Sequence, residues 1–254
     1  MKLYVFGTCA GTEPFPNRHH TAWALECEGR LFWFDAGEGA AYTAHMMGVD
    51  LLSASDIFIS HSHMDHIGGL PHLIWTMRPL SNIAKELKFK DITVYAPNAE
   101  SFNGAMAMVR VSDGQHKNPY QINYVQTKDG VLLKTNNVTV TAIHNLHMKP
   151  TDEGYQSFSF IIEACGKKII YTGDFATLDE FDYLLGDGCD VLVTETGHHK
   201  PCVLCEHMKN LKIGHAYFLH HNRIIMNNYD TVLNDCRAIM PNITFCNDKD
   251  IFEI

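Results

Sequence analysis

Short apolar runs alternate with amphipathic stretches along the whole chain, which is typical of an α/β protein. Runs such as Lys2–Phe6 are rich in β-branched, aromatic or other apolar residues and are bounded by turn residues, so they predict strands. The predicted strands are Lys2–Phe6, Ala22–Cys27, Leu31–Asp35, Asp56–Ser60, Ile92–Ala96, Ile122–Gln126, Val138–Ile143, Phe158–Glu163, Lys168–Thr172, Asp190–Thr194, Ala216–Leu219, Ile243–Cys246 and Ile251–Ile254.

Helices are predicted between many of these strands. Thr177-Leu178-Asp179-Glu180 fits a capping box at the start of one helix, and Pro201 suits the first position of another. The predicted helices are Glu38–Met47, Gly68–Met77, Ala99–Val111, Thr177–Leu185, Pro201–Leu211 and Tyr229–Met240. Strands interleaved with helices imply sheets that carry helices on their outer faces, and we expect residues 1–254 to form a single domain.

The composition narrows the class of protein. The chain has 254 residues, 46% hydrophobic and 19% charged, which is enough apolar material for one substantial core. No apolar run approaches the ~20 residues of a membrane helix, and no signal peptide is visible, so we expect a cytoplasmic protein without a membrane segment. The eight cysteines lie at irregular positions, which favours reduced thiols; Cys202 and Cys205 are interpreted as packing residues.

The charge balance bears on the kind of ligand. Twenty basic against 29 acidic residues give a formal net charge of −9. Such a chain is a poor general binder of nucleic acid, because that affinity comes from Lys and Arg neutralising phosphates. A small anionic substrate remains compatible with this charge, since a bound metal can dominate the local field.

The strongest chemical signal is a cluster of four potential metal ligands within six positions, directly after an apolar strand. In an extended segment, His61 and His63 project to the same side and can share one ion. Asp65 and His66 lie at the turn into the next helix and can face a second ion beside the first. Imidazole and carboxylate at this density suit zinc, with manganese or iron as alternatives.

The motif His61-x-His63-x-Asp65-His66 resembles the signature of the metallo-β-lactamase superfamily. The segments Gly7-Thr8-x-x-Gly11-Thr12-x-Pro14 and Phe34-Asp35-Ala36-Gly37-Glu38-Gly39 are similar to those of its ribonuclease Z and cyclic-phosphodiesterase branch. The resemblance extends in order over nearly the whole chain. It implies a four-layer αββα sandwich with two divalent metal ions at the edge between the two sheets.

The resemblance also implies where the other ligands lie. A third histidine for the first ion should follow a strand in the second half, where His147 is favoured over His144. The resemblance implies that Asp174 is the carboxylate that bridges the ions, and Thr177 already caps the helix that follows, so Asp174 is not needed as its N-cap. The last ligand should end a late strand, where His220 is favoured over His221.

A further histidine is implied over the metals as a proton donor. The segment Glu195-Thr196-Gly197-His198-His199 resembles the one that places it beside a carboxylate, and His198 is favoured over His199. Two ions bridged by Asp174 would hold a hydroxide that attacks the substrate in line, with Asp65 orienting this nucleophile and His198 protonating the leaving group.

The substrate expected is a small phosphodiester, such as a cyclic nucleotide. The arm by which ribonuclease Z grips tRNA would lie between His147 and Asp174, but the short loop Met148–Gln156 is neither long nor basic, which argues against tRNA. Weaker signals suggest substrate contacts from three side chains on other segments, namely Arg18, Trp75 and Arg78.

Two alternatives remain at the level of sequence. The same metal site could hydrolyse a lactone, a thioester or an amide. The scaffold could instead carry a structural or redox-active metal in a protein that is not a hydrolase. Relatives in this branch often form dimers, so a homodimer is compatible with the resemblance.

Overall fold

Two seven-stranded β-sheets pack face to face in the computed structural model, which describes residues 1–84, 88–112 and 119–254. The first sheet has the order β14-β1-β2-β3-β4-β5-β6. Its strands in chain order are β1 (Lys2–Gly7), β2 (Ala22–Cys27), β3 (Arg30–Phe34), β4 (Ala54–Phe58), β5 (Asp91–Ala96), β6 (Gln121–Gln126) and β14 (Ile251–Glu253). Strands β3 to β6 are parallel, whereas β14 to β3 are antiparallel.

The second sheet repeats this arrangement with the order β13-β12-β11-β10-β9-β8-β7. Its strands are β7 (Gly130–Lys134), β8 (Val138–His144), β9 (Phe158–Ala164), β10 (Lys167–Tyr171), β11 (Cys189–Thr196), β12 (Ile213–His221) and β13 (Ile243–Phe245). Strands β10 to β13 are parallel and β7 to β10 antiparallel. Parallel strands end at a common sheet edge, so each sheet brings the residues after several strands together.

Helices cover the outer faces of both sheets. The first sheet packs against α1 (Ala40–Met46), α3 (Leu70–Ala84) and α4 (Ala99–Ser112), and the second against α5 (Leu178–Leu185), α6 (Pro201–Met208) and α8 (Tyr229–Ile239). The short helices α2 (Met64–Ile67) and α7 (Arg223–Asn227) follow β4 and β12, and Leu51–Ser53 form a turn of 3₁₀-helix. None of the helices in the described ranges has the length and apolar character to cross a membrane.

Three apolar layers hold these elements together. The central layer lies between the sheets and contains fully buried aromatic residues from both, including Trp23, Phe34, Phe160 and Tyr171. Each such side chain contributes roughly 1.5–3 kcal/mol through burial alone. The two outer layers lie between each sheet and its helices. This arrangement confirms the αββα sandwich.

The predicted elements are mostly confirmed, and the differences have local causes. Strand β7 was not predicted, because its apolar run is only three residues long, Val131-Leu132-Leu133, and lies at a largely exposed sheet edge. Helix α3 continues beyond the predicted Met77 to Ala84 with Pro79 inside it. The capping box is confirmed, since Thr177 Oγ1 accepts from the Glu180 backbone N–H and the Glu180 side chain accepts from the Thr177 backbone N–H.

Gly7 and Gly104 allow a test of backbone packing. A Cβ added at Gly7 would collide with the backbone oxygen of His20, whereas one added at Gly104 in α4 would meet nothing within 4 Å. We expect Gly7→Ala to lower the free energy of unfolding by at least about 2 kcal/mol through steric strain. Gly104→Ala should leave it unchanged or raise it by up to about 1 kcal/mol. Urea unfolding measures both, and equal stability of the two variants would contradict this description of the β1 end.

Candidate metal centre

The histidine-rich motif lies at the edge between the sheets, where β4 ends and α2 begins. His61 follows β4 in extended backbone, and His63 has extended backbone at the N-terminal cap of α2. Asp65 and His66 lie in α2 itself and are buried. The change from strand to helix separates the motif into two pairs of ligands, as the sequence predicted.

Three imidazoles form the first group of potential ligands. His61 Nε2 lies 3.0 Å from His63 Nδ1, and His147 Nε2 lies 3.3 Å from the same atom. Neighbouring ligands of a tetrahedral zinc ion, with bonds of about 2.0–2.1 Å, are separated by about 3.4 Å. The spacing of these nitrogens therefore fits a cation shared by the three rings.

The second group consists of Asp65, His66 and His220. Asp65 Oδ2 lies 3.1 Å from His220 Nε2 and 3.5 Å from His66 Nε2. Within the described part of the chain, the buried His66 Nε2 has no hydrogen-bond partner. A buried nitrogen without a partner is costly, and its orientation toward two carboxylates fits a metal ligand.

Asp174 lies between the two groups. Its atom Oδ2 is 3.7 Å from His61 Nε2 and His147 Nε2 on one side. On the other side it is 3.4 Å from His66 Nε2 and 3.3 Å from His220 Nε2. The carboxylate follows β10 and is 2% exposed. A single carboxylate within reach of both groups has the position that a bridging ligand requires.

Of the two alternatives His147 and His144, the structure places only His147 beside the histidine motif. His144 ends β8, donates from Nδ1 to Asp129 and stacks on Tyr155, so it faces away from the motif. His147 lies past the strand end, where its backbone N–H donates to Asn145 and its ring approaches His63.

The structure also separates His220 from His221. The pairing of β11 with β12 is regular up to Leu219 opposite Glu195 and then shifts, so that Thr196 pairs with His221. His220 is the extra residue and has a left-handed φ of 55°. This bulge turns His220 into the site, whereas His221 contacts Thr196 and the Cys246 backbone oxygen.

His198 lies at the edge of the centre and pairs with a buried carboxylate. His198 Nδ1 donates to Glu195 Oε2 over 2.8 Å and lies 3.7 Å from Asp174 Oδ2. The hydrogen bond to Glu195 raises the pKa of His198. His199 instead stacks on Phe175 and donates to its backbone oxygen, so it faces away from the metal ligands.

The site concentrates negative charge in a buried place. Burial raises the pKa of Asp65, Asp174 and Glu195, but hydrogen bonds and charge from neighbouring imidazoles outweigh it, so the pKa of each lies below its usual value. Burial lowers the pKa of His220, but Asp174 and Asp65 raise it to about 10. The pKa of His66 is likewise raised by Asp174 and Asp35, whereas burial lowers the pKa of His61 and His147. A bound cation would displace protons from the imidazoles whose pKa is raised.

A cavity of about 610 Å³ opens beside the ligands. Its lining residues are Ala10, Gly11, Thr12, His20, His63, Met64, Asp65, Asp174, Gly197, His198, His220 and Asn222. The sequence analysis did not single out Thr12, His20, Met64 and Asn222 as lining residues. Met64 immediately follows the predicted His63, and Asn222 follows His221, the alternative to His220; these positions are the one signal that could have identified them.

The three predicted substrate contacts lie elsewhere, which corrects those predictions. Arg18 donates to Thr8 Oγ1, the Cys246 backbone oxygen and Asn247 Oδ1, so its guanidinium holds the C-terminal segment. Trp75 stacks on His72 and lines a separate cavity on α3 and α4. Arg78 lies on α3 and does not line the metal cavity either.

The fold and the sequence matches place the chain in the metallo-β-lactamase superfamily, in its ribonuclease Z-like branch. The family model described as "Anti-Pycsar protein Apyc1" matches residues 1–212, and the chain belongs to that family.

Known proteins share parts of the sequence and the whole fold. Ribonuclease Z of Treponema pallidum (strain Nichols) is 45% identical over 74 residues, which cover 29% of this chain and 24% of that protein. Ribonuclease Z of Methanosarcina mazei is 28% identical over 152 residues, which cover 59% of this chain and 46% of that protein. These matches span between a quarter and a half of the relatives' length. The human short-form tRNase Z structure has a TM-score of 0.74 at 20% identity, covering 100% of this chain and 99% of that one.

Replacing His147 or His144 tests the first group of ligands. We expect His147→Ala to weaken metal binding by more than about tenfold, because a coordinating nitrogen is lost. His144→Ala should bind metal like the wild type, since its ring pairs with Asp129. Metal content after dialysis against a chelator measures the difference, and equal retention by both variants would remove His147 from the site.

Proposed function

We propose that the protein is a metal-dependent phosphodiesterase that hydrolyses a small, singly charged phosphodiester, with cyclic nucleotides as the substrate class. The observation that carries the proposal is the position of Asp174 Oδ2, within 3.3–3.7 Å of imidazoles from two separate ligand groups. This position supports a pair of ions.

The residues that would hold the ions are arranged in two sets around one carboxylate. His61, His63 and His147 would hold one ion, and a second would be held by three further side chains, Asp65, His66 and His220. Asp174 would contribute to both. Two divalent ions held there would supply an activated water and neutralise the charge that develops on the phosphoryl oxygens. Zinc fits this nitrogen-rich donor set, with manganese or iron as alternatives.

His198 would act as the proton donor to the leaving group. Its Nδ1 is engaged by Glu195, so Nε2 is the ring nitrogen left for proton transfer. The imidazole lines the cavity, and its side chain is 45% exposed, so it can contact a substrate. Asp65 approaches the same cavity from α2 and would orient the nucleophile as well as bind metal.

The cavity favours a singly charged substrate. Neither Lys nor Arg belongs to the lining in the described ranges, and Asp65 and Asp174 add negative charge. Phosphate groups of higher charge are ordinarily bound by Arg or Lys. A phosphodiester carries one negative charge, which the two ions alone could offset.

The loop between β8 and β9 argues against tRNA as the substrate. Thr151 and Gly154 close a tight turn through two backbone hydrogen bonds. The Glu153 backbone oxygen accepts from Gln126, which holds the loop against the first sheet. The loop carries Lys149 together with Asp152 and Glu153, so it offers no net positive charge to an RNA backbone.

A substrate panel tests the proposed class. The metal-loaded protein should hydrolyse bis(p-nitrophenyl) phosphate and at least one 3′,5′- or 2′,3′-cyclic nucleotide, and it should leave p-nitrophenyl phosphate, a β-lactam and precursor tRNA largely intact. Chelation should abolish hydrolysis, and added metal should restore it. Preferential hydrolysis of a lactone, thioester or β-lactam would replace the phosphodiesterase proposal with the other hydrolase class.

Exchange of His198 tests its role as the proton donor. We expect His198→Ala to retain metal and to slow turnover of a cyclic nucleotide by ~10²–10⁴-fold, because protonation of the leaving group is lost. His199→Ala is the matched control, since the adjacent ring faces Phe175 and should affect turnover little. Equal rates for the two variants would exclude this role for His198.

A further inference from the structure

Asp35 lies at the end of β3 and is completely buried, although it coordinates nothing itself. Its backbone is left-handed with a φ of 53°, a conformation that an aspartate keeps only when its surroundings hold it. The carboxylate accepts four hydrogen bonds: Oδ1 from the Ser60 backbone N–H, and Oδ2 from Ser60 Oγ, His66 Nδ1 and the Tyr171 hydroxyl. It is therefore a fixed hydrogen-bond acceptor beside the metal centre.

The hydrogen bond from His66 determines which ring nitrogen faces the centre. His66 Nδ1 donates to Asp35 over 2.7 Å, so its proton is on Nδ1. Nε2 is then the ring nitrogen left to bind a cation, and it points toward Asp65 and Asp174. A partner of this kind fixes the tautomer and the ring orientation of a metal-binding histidine.

Tyr171 reaches this carboxylate from the opposite sheet. Its hydroxyl donates to Asp35 Oδ2 over 2.5 Å, and the two residues are 136 positions apart. The ring packs edge-on against Trp23 and Phe34 in the layer between the sheets. Burial and Asp35 raise the pKa of Tyr171, so its hydroxyl stays a donor.

The same strand end also supplies Asp174. Tyr171 is the last residue of β10, and Asp174 follows three positions later with Oδ2 at 3.4 Å from His66 Nε2. The second sheet therefore acts on both ring nitrogens of His66. Tyr171 acts on Nδ1 through Asp35, and Asp174 lies directly beside Nε2.

We propose that Tyr171 is a positioning residue for the metal ligand His66, acting through Asp35 to fix the distance and angle between the ligands of the two sheets. Without the hydroxyl, Asp35 keeps donors from the first sheet alone, because Ser60 and His66 both belong to that sheet's edge. The carboxylate and the imidazole could then shift together relative to Asp174. This inference rests on the proposed metal centre.

The protein offers a matched control in Tyr95. Both tyrosines are buried in the layer between the sheets, and both hydroxyls face a buried aspartate, over 2.5 Å for Tyr171 and a longer 3.5 Å for Tyr95. The partner of Tyr95 is Asp56, which pairs with Arg30 and not with a metal ligand. Tyr171→Phe and Tyr95→Phe each remove one buried hydroxyl from the same core, so a difference between them reports the metal centre.

The test measures the metal affinity of the full chain by competition with a chelator of known affinity, using Zn²⁺ as the probe, together with the visible spectrum of the Co²⁺-loaded protein. We expect Tyr171→Phe to weaken Zn²⁺ binding by about 10–100-fold and to alter the Co²⁺ spectrum. Tyr95→Phe should stay within about twofold of the wild type with an unchanged spectrum, and urea unfolding should show that both metal-free variants are folded in buffer.

Each result has one interpretation. Wild-type affinity and an unchanged Co²⁺ spectrum for Tyr171→Phe would overturn the positioning role and leave the metal centre intact. Failure of the wild type itself to bind Zn²⁺ would overturn the metal centre. If Tyr171→Phe does not fold, Asp35→Asn takes its place, because it weakens the same support of His66 Nδ1; wild-type affinity in that variant would equally overturn the proposal.

Discussion

The structure depends on one constraint: anionic carboxylates and several imidazoles converge where little water can solvate them. Asp174 is 2% exposed and Glu195 1% exposed, and His61 and His66 are fully buried. Burial of such groups costs several kcal/mol each unless they are paired or bind a metal. The positions of their nitrogens and oxygens fit cations, and the rest of the fold serves to hold these atoms close to one another.

The two-sheet architecture explains how residues far apart in sequence meet. Strand β4 of the first sheet leads to His61, and β10, β11 and β12 of the second sheet lead to Asp174, His198 and His220. The residues at the ends of parallel strands lie at one edge of the sheet, so these side chains lie close together. The hydrogen bond between Tyr171 and Asp35 then joins the two edges and sets the distance between them.

Much of this could be predicted from sequence, because periodicity identifies strands and the spacing of the histidine motif identifies ligands. Three features could not. Residue type alone does not separate His220 from His221, and only the family resemblance favoured His220, because the bulge in the pairing of β11 with β12 leaves no sign in residue type. Arg18 had the chemistry of an anion-binding residue, but tertiary contacts near Cys246 engage its guanidinium. Strand β7 forms at an exposed edge through pairing with β8, and its apolar run of three residues is too short to predict a strand.

Because Lys and Arg are absent from the described lining of the cavity, no cationic side chain there is available to hold an anionic substrate apart from the reacting groups. In many phosphate-binding sites a cationic side chain holds the substrate and a separate group performs the reaction. Here the protein around the cavity is acidic, and the chain carries a formal charge of −9. If the proposed metal centre and function hold, attraction for an anionic substrate would come from the same cations that activate water, so any residue that aligns those cations would affect substrate affinity and turnover together.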